Sequence, residues 1–182
     1  MEAAVRGGVD IVQLRDKKTS REGLIPLAEE LKEACEATGS LFTVNDDLEL
    51  ARLVGADGVH LGEDDAPTSH ARSVLGPDVV VGRSAGGVAE ALEALRGGAD
   101  YLGVGAVYAT PTKPEGEVAG LALIQALARE NLPVPWFAIG GVTLETAPSV
   151  AEAGAPGFAV VRAVLDAGDP EAAARELRSL LE

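Results

Sequence analysis

The sequence predicts an α/β fold: a TIM-type (β/α)8 barrel in a single domain, residues 1–182, with its first strand lacking and seven strands present. Three observations predict it. Short apolar runs alternate with helix-period segments along the chain, which is the pattern of strands joined by crossover helices. The runs are apolar throughout, as in a parallel sheet covered by helices on both faces. Charged, amide or glycine residues collect where each run ends, and in a barrel those ends converge on one face.

The elements follow in order. Met1–Arg6 reads as the end of a helix, so a preceding strand would lie before Met1. Four runs share one plan, glycine then a short apolar strand: "GGVDIVQLR" from Gly7, "GADGVHLGE" from Gly55, "GADYLGVGA" from Gly98 and "GAPGFAVVR" from Gly154. Glycine stands there because a helix ends by turning left-handed, which costs a residue without Cβ nothing. Between them lie "SLFTVND" at 40–46, "DVVVGRS" at 78–84 and "VPWFAIGG" at 134–141. Helical segments at 20–38, 47–54, 67–75, 87–96, 120–130, 144–153 and 169–181 separate the strands. In the first of these, Leu24, Leu27, Leu31 and Ala34 recur at helical spacing and mark the face turned to the core. With its first strand missing, the barrel should show a gap between the strand at 9–14 and that at 158–162, which is narrowed, covered by the C-terminal helix or filled by a neighbouring chain.

Composition narrows the function. A net charge of −14 disfavours nucleic acid and anionic membranes as partners, while leaving room for a local cationic pocket. The single cysteine excludes an internal disulfide and fits a reducing compartment. With no long apolar run and no signal-peptide pattern, the expectation is a soluble cytoplasmic protein; a homo-oligomer stays open.

The strand ends carry Gln13, Arg15 and Lys17; Asn45, Asp46 and Asp47; His60, Glu63, Asp64 and Asp65; Arg83 and Ser84; Thr110, Thr112 and Lys113; Gly140 and Gly141; and Arg162. Carboxylates from two neighbouring loops, Asp46 and Asp65, suit a hard cation such as Mg²⁺, which prefers oxygen and keeps waters and a substrate phosphate in its shell. Arg15, Lys17 and Lys113 would hold the phosphate oxygens that a metal leaves uncovered. Together they describe a diphosphate site. His60, inside "GVHLG", reads on its own as a hydrogen-bonded core histidine rather than a base. A second anion site is expected where "AIGGV" and "VVRAV" end the last two strands, because backbone N–H groups and a short helix commonly take a phosphate there. The long connection at 108–120, with two threonines and Lys113, reads as a lid.

Seven motifs in order, "GGVDIVQLRDK", "VNDDLELA", "GADGVHLGEDD", "GRS", "GADYLGVGAVYATPTK", "AIGGV" and "VVRAVLDAGDP", make the chain resemble the thiamine-phosphate synthase (thiamine-phosphate pyrophosphorylase) family. The resemblance implies a Mg²⁺-dependent transferase. It would couple 4-amino-5-hydroxymethyl-2-methylpyrimidine diphosphate with 4-methyl-5-(2-hydroxyethyl)thiazole phosphate, giving thiamine phosphate and diphosphate by a dissociative route. It also implies that Gln13, Arg15, Lys17, Asn45 and Lys113 bind the pyrimidine diphosphate, that Asp46 and Asp65 bind Mg²⁺, and that Ser84 lies beside pyrimidine and diphosphate. Thr110, Thr112 and Gly141 would bind the thiazole phosphate. Arg15, Lys17, Ser84 and Lys113 are then the catalytic set, and Asp16 faces away or pairs with a neighbouring cation. Gly86 and Arg162 depart from the family pattern, which often has histidine and serine there; arginine can still bind phosphate as a fork of donors. The rival readings are a relative that tautomerises the thiazole phosphate, which needs an acid-base group and no metal, and a non-catalytic phosphate-binding barrel.

Overall fold

A computed structural model describes residues 1–111 and 117–182. In chain order the elements are α1 (Glu2–Arg6), β1 (Ile11–Leu14), α2 (Arg21–Glu36), β2 (Leu41–Asn45), α3 (Leu48–Val54), β3 (Gly58–Leu61), α4 (Thr68–Leu75) and β4 (Val80–Ala85). They continue as α5 (Val88–Arg96), β5 (Tyr101–Val104), α6 (Gly120–Arg129), β6 (Trp136–Ile139), α7 (Ala147–Glu152), β7 (Phe158–Ala159), α8 (Arg162–Leu165) and α9 (Pro170–Ser179). Among the described residues the strands form one seven-stranded sheet in sequence order, every pairing parallel, curled into a partial barrel. The predicted alternation is therefore present.

Successive strand residues point to opposite faces, so each strand divides its side chains between two environments. Val12 and Leu14 pack with Leu24, Ala28, Leu31 and Cys35 of α2, and Leu102, Val104 and Ala138 pack with Ile124 and Leu127 of α6. Thr43, His60 and Tyr101 alternate with those apolar residues and meet in the interior, with the exposed Gln13 beside them at the edge strand. Hence the strands carry apolar residues under the helices and polar ones at the centre. The core face of α2 is rotated from the expected one: Leu27 is exposed and the buried stripe is Leu24, Ala28, Leu31 and Cys35. Both sets fit a helical period, and only the docking against β1 and β2 chooses between them.

Local signals terminate the elements. Ser20 and Asp169 cap α2 and α9 by accepting from the N–H of Gly23 and Ala172, as residues of that type do at helix starts. The last strand is shorter than expected: β7 stops at Ala159, and Val161 already precedes α8. Among the described residues, β1 and β7 are the sheet edges and no ladder joins them. Helix α9 links the two ends instead. Arg178 donates to Gly8 O at 2.6 Å and pairs with Asp10 at 3.0 Å, and Arg6 pairs with Glu171 at 3.1 Å. The approach of α1 to α9 is close enough that a Cβ on Gly7 would lie 2.7 Å from Ala174 Cβ. Of the three outcomes expected for the gap, the C-terminal helix packed against the β1 side is the one seen.

Candidate active site

The carboxyl ends of β1 and β2 build one wall of the candidate site. Arg15, Lys17, Asn45 and Asp46 line a cavity of about 440 Å³ with Arg21 and Asp47 beyond them. Asp46 occupies the left-handed region at φ 61, and its N–H donates to His60 O at 3.0 Å, which ties the end of β2 to β3. Lys17 Nζ lies 2.9 Å from Asp46 Oδ2. Asp65, from the loop after β3, accepts from its own loop's Gly62 N–H at 2.6 Å and faces the Asp46 carboxyl.

These two carboxyls act on each other, one being held high and the other low. Burial first, and then the hydrogen bond to Asp65, push Asp46 above the usual carboxylate range against the pull of Lys17. Burial also opposes ionisation of Asp65, but the hydrogen bonds from Asp46 and Gly62 N–H, with Lys17 and Arg83 nearby, outweigh it and hold Asp65 low. A cation placed against both would relieve their mutual repulsion, as Lys17 already does in part for Asp46. The donor set therefore fits a hard divalent cation. Among the described residues no group of three or more His, Cys, Asp or Glu is placed to hold a metal ion, so Asp46 and Asp65 would leave most positions to water and ligand, as Mg²⁺ tolerates.

Deeper in the interior, three strands contribute a continuous polar contact. Ser84 Oγ on β4 lies 3.0 Å from His60 Nε2 on β3, and His60 Nδ1 lies 3.2 Å from the Tyr101 hydroxyl on β5. Gln13 and Thr43 face that same hydroxyl. Burial, and then the nearby Arg83, drop the His60 pKa to about 4, and burial raises Tyr101 to about 12, so both stay neutral at physiological pH. Gly82 makes the arrangement sterically feasible, since a Cβ there would overlap the Tyr101 ring.

Several expected residues have structural duties instead. Asp16 is exposed and near Lys18, and its carboxylate is spent on its own loop. It accepts from Lys18 N at 2.7 Å, Thr19 N at 3.2 Å and Thr19 Oγ1 at 2.8 Å, closing its own loop. Asp47 caps α3 through Leu50 N and is gripped by Arg21 at 2.8 Å. Arg83 holds the loop before α4 by donating to Ala66 O at 2.9 Å.

On the other side of the mouth, Gly141 (φ 66) packs so tightly on Tyr108 and Ala109 that a Cβ would come within 2.6 Å of Tyr108 Cβ. Thr110 lies in that facing loop, half-buried, and Arg162 is exposed at the first position of α8. Thr112 and Lys113, with the central part of the expected lid, lie outside the described residues. Sequence reasoning missed Tyr101, Thr43 and Arg21. Their signals were faint: a tyrosine opening an apolar strand, opposite a glycine in the neighbouring one.

A family model described as thiamine monophosphate synthase matches residues 1–164. The chain belongs to that family. It is 48% identical over 185 residues to thiamine-phosphate synthase of Natronomonas pharaonis, covering all of this chain and 86% of that one. It is 49% identical to thiamine-phosphate synthase of Synechococcus sp. (strain CC9311), covering 100% of this chain and 51% of that protein. The chain thus spans about half the length of the first curated relatives it matches. The thiamine phosphate pyrophosphorylase structure from Pyrococcus furiosus superposes with a TM-score of 0.89 at 34% identity, over 99% of this chain and 86% of that chain. A 3-hexulose-6-phosphate synthase superposes at 0.65 with 23% identity, which speaks for the shared fold alone. Among the described residues no helix is long and apolar enough to cross a membrane.

Proposed function

We propose that the chain is a cytoplasmic thiamine-phosphate synthase that joins 4-amino-5-hydroxymethyl-2-methylpyrimidine diphosphate to 4-methyl-5-(2-hydroxyethyl)thiazole phosphate. The single observation that carries the reading is the Asp46–Asp65 pair with Lys17 against it and Arg15 beside it, a combination suited to a cation-bound diphosphate. A tautomerase has no need of paired carboxylates. A phosphate-binding barrel without chemistry has no need of a cation beside its own cationic side chains.

In this reading the pyrimidine methylene carbon loses its bond to the diphosphate oxygen, and the thiazole nitrogen then forms the new C–N bond, with diphosphate as the leaving group. Arg15 and Lys17, with Lys113, neutralise the charge that grows on the departing oxygens. Gln13 and Asn45 hold the aminopyrimidine diphosphate in place, and Ser84 stands where ring and diphosphate meet. Thr110, Thr112, Gly141 and Arg162 orient the thiazole phosphate so that its nitrogen faces the reacting carbon. Asp46 and Asp65 would hold Mg²⁺, which when bound offsets the negative charge of the diphosphate. Little proton transfer is required, which suits a site whose histidine is buried and neutral.

The test is direct. Purified protein with both substrates and MgCl₂ should give thiamine phosphate and diphosphate in equal amounts by mass spectrometry, and chelation of the metal should stop both. Absence of product with both substrates and Mg²⁺ present would overturn the proposal.

A further inference from the structure

The polar contact through the interior has a direction, and that direction decides what Ser84 offers to a ligand. His60 and Tyr101 are each 6% exposed, so water cannot satisfy their polar atoms and the protein must. A neutral imidazole has one N–H and one bare nitrogen, a phenol has one proton, and serine can serve in either sense. Two proton arrangements agree with both contacts of His60. In one, Tyr101 donates to Nδ1, the ring proton sits on Nε2 and is donated to Ser84, and Ser84 keeps its own proton for the cavity. In the other, Tyr101 gives its proton to Thr43 Oγ1, Nδ1–H donates to Tyr101, and Ser84 spends its proton on Nε2 and shows the cavity only lone pairs.

We propose the first arrangement: Tyr101 and His60 are positioning residues, a relay that turns the Ser84 hydroxyl outward as a donor to the leaving diphosphate. A bare imidazole nitrogen is a stronger base than a hydroxyl oxygen and wins the Tyr101 proton at the 3.2 Å separation seen here. Thr43 gives its own proton to Val12 O at 3.2 Å, so it does not depend on Tyr101 for a hydrogen bond and does not donate to it. The Gln13 amide, facing the same phenol, can donate to the lone pairs that Tyr101 keeps. A hydroxyl that accepts from an N–H is a better donor in turn, because each bond of such a chain polarises the next. The backbone is shaped around the relay: Gly82 leaves room for the Tyr101 ring, and a Cβ on Gly103 would come 3.2 Å from His60 Cε1.

The role in turnover rests on the diphosphate reading above, whereas the position of the proton does not, and the two are measured separately. Protein labelled with ¹⁵N-histidine, with His70→Gln to assign the second ring, should show His60 protonated on Nε2 and bare at Nδ1 in long-range ¹H–¹⁵N spectra. A proton on Nδ1 would overturn the relay. Tyr101→Phe keeps the ring and removes only the oxygen. It should lower kcat about fivefold with KM little changed, the worth of roughly one hydrogen bond. In a Ser84→Ala background, Tyr101→Phe should change kcat less than about twofold, because the group it acts through is gone. Equal factors in both backgrounds would also overturn the relay. If the native chain made no thiamine phosphate while His60 still carried its proton on Nε2, the diphosphate reading would fail and the direction of the relay would stand.

Discussion

Lowering the pH should unfold this protein partly through one residue, His60. Its pKa falls from 6.5 to about 4 on folding because the ring is buried beside Arg83. Between those values the unfolded chain binds a proton that the folded one refuses, so stability rises with pH across that window and is lost as pH drops through it. From the two pKa values, the loss between pH 7 and pH 5 is about 2 kcal/mol. Carboxylates held low in the fold, such as Asp47 and Asp65, add losses of the same sign at lower pH. The measurement must therefore isolate the histidine. Urea unfolding of native protein and His60→Gln at pH 7, 6 and 5 does so by difference: the variant should be less stable at pH 7 but should fall less steeply on acidification, by about the same 2 kcal/mol. Parallel curves for the two proteins would refute the argument, since His60 would then titrate alike in both states.

Asp46→Asn and Asp65→Asn should each abolish synthesis and weaken Mg²⁺ binding in calorimetry while leaving the circular dichroism unchanged, because each removes one carboxylate of the pair; near-normal turnover in either would remove the metal assignment. Arg162→Ala should raise the KM for thiazole phosphate more than that for the pyrimidine diphosphate, given its place at the start of α8, and equal effects would put it elsewhere. Gly82→Ala should lower stability by about 1–3 kcal/mol, the usual cost of overpacking, because the added methyl overlaps the Tyr101 ring. Thermal melts would show it, and an unchanged Tm would mean that the ring has room to move.

The strand–helix alternation, the seven strands and the cluster of charged residues at their ends were legible in the sequence because they depend on local matters: hydrophobic period, glycine punctuation and cap residues. Gln13, Arg15, Lys17, Asn45, Asp46, Asp65 and Ser84 were read as strand-end residues, since a parallel barrel sends all such ends to one face. Choices between equivalent local patterns were not legible. Leu27 and Ala28 both fit a buried helical stripe, and only the sheet beneath α2 selects Ala28. Likewise, Asp16 and Asp47 look like their neighbours in the sequence, but their carboxylates are spent on a loop and a helix cap. The relay of Ser84, His60 and Tyr101 joins residues 24 and 41 positions apart across three strands. It depends on a missing side chain at Gly82, a signal that no periodicity contains. Protonation was equally out of reach, because the opposite shifts of Asp46 and Asp65 and the neutrality of His60 come from burial and proximity. Those quantities exist only once the strands have curled and the dielectric around each group is set by its neighbours.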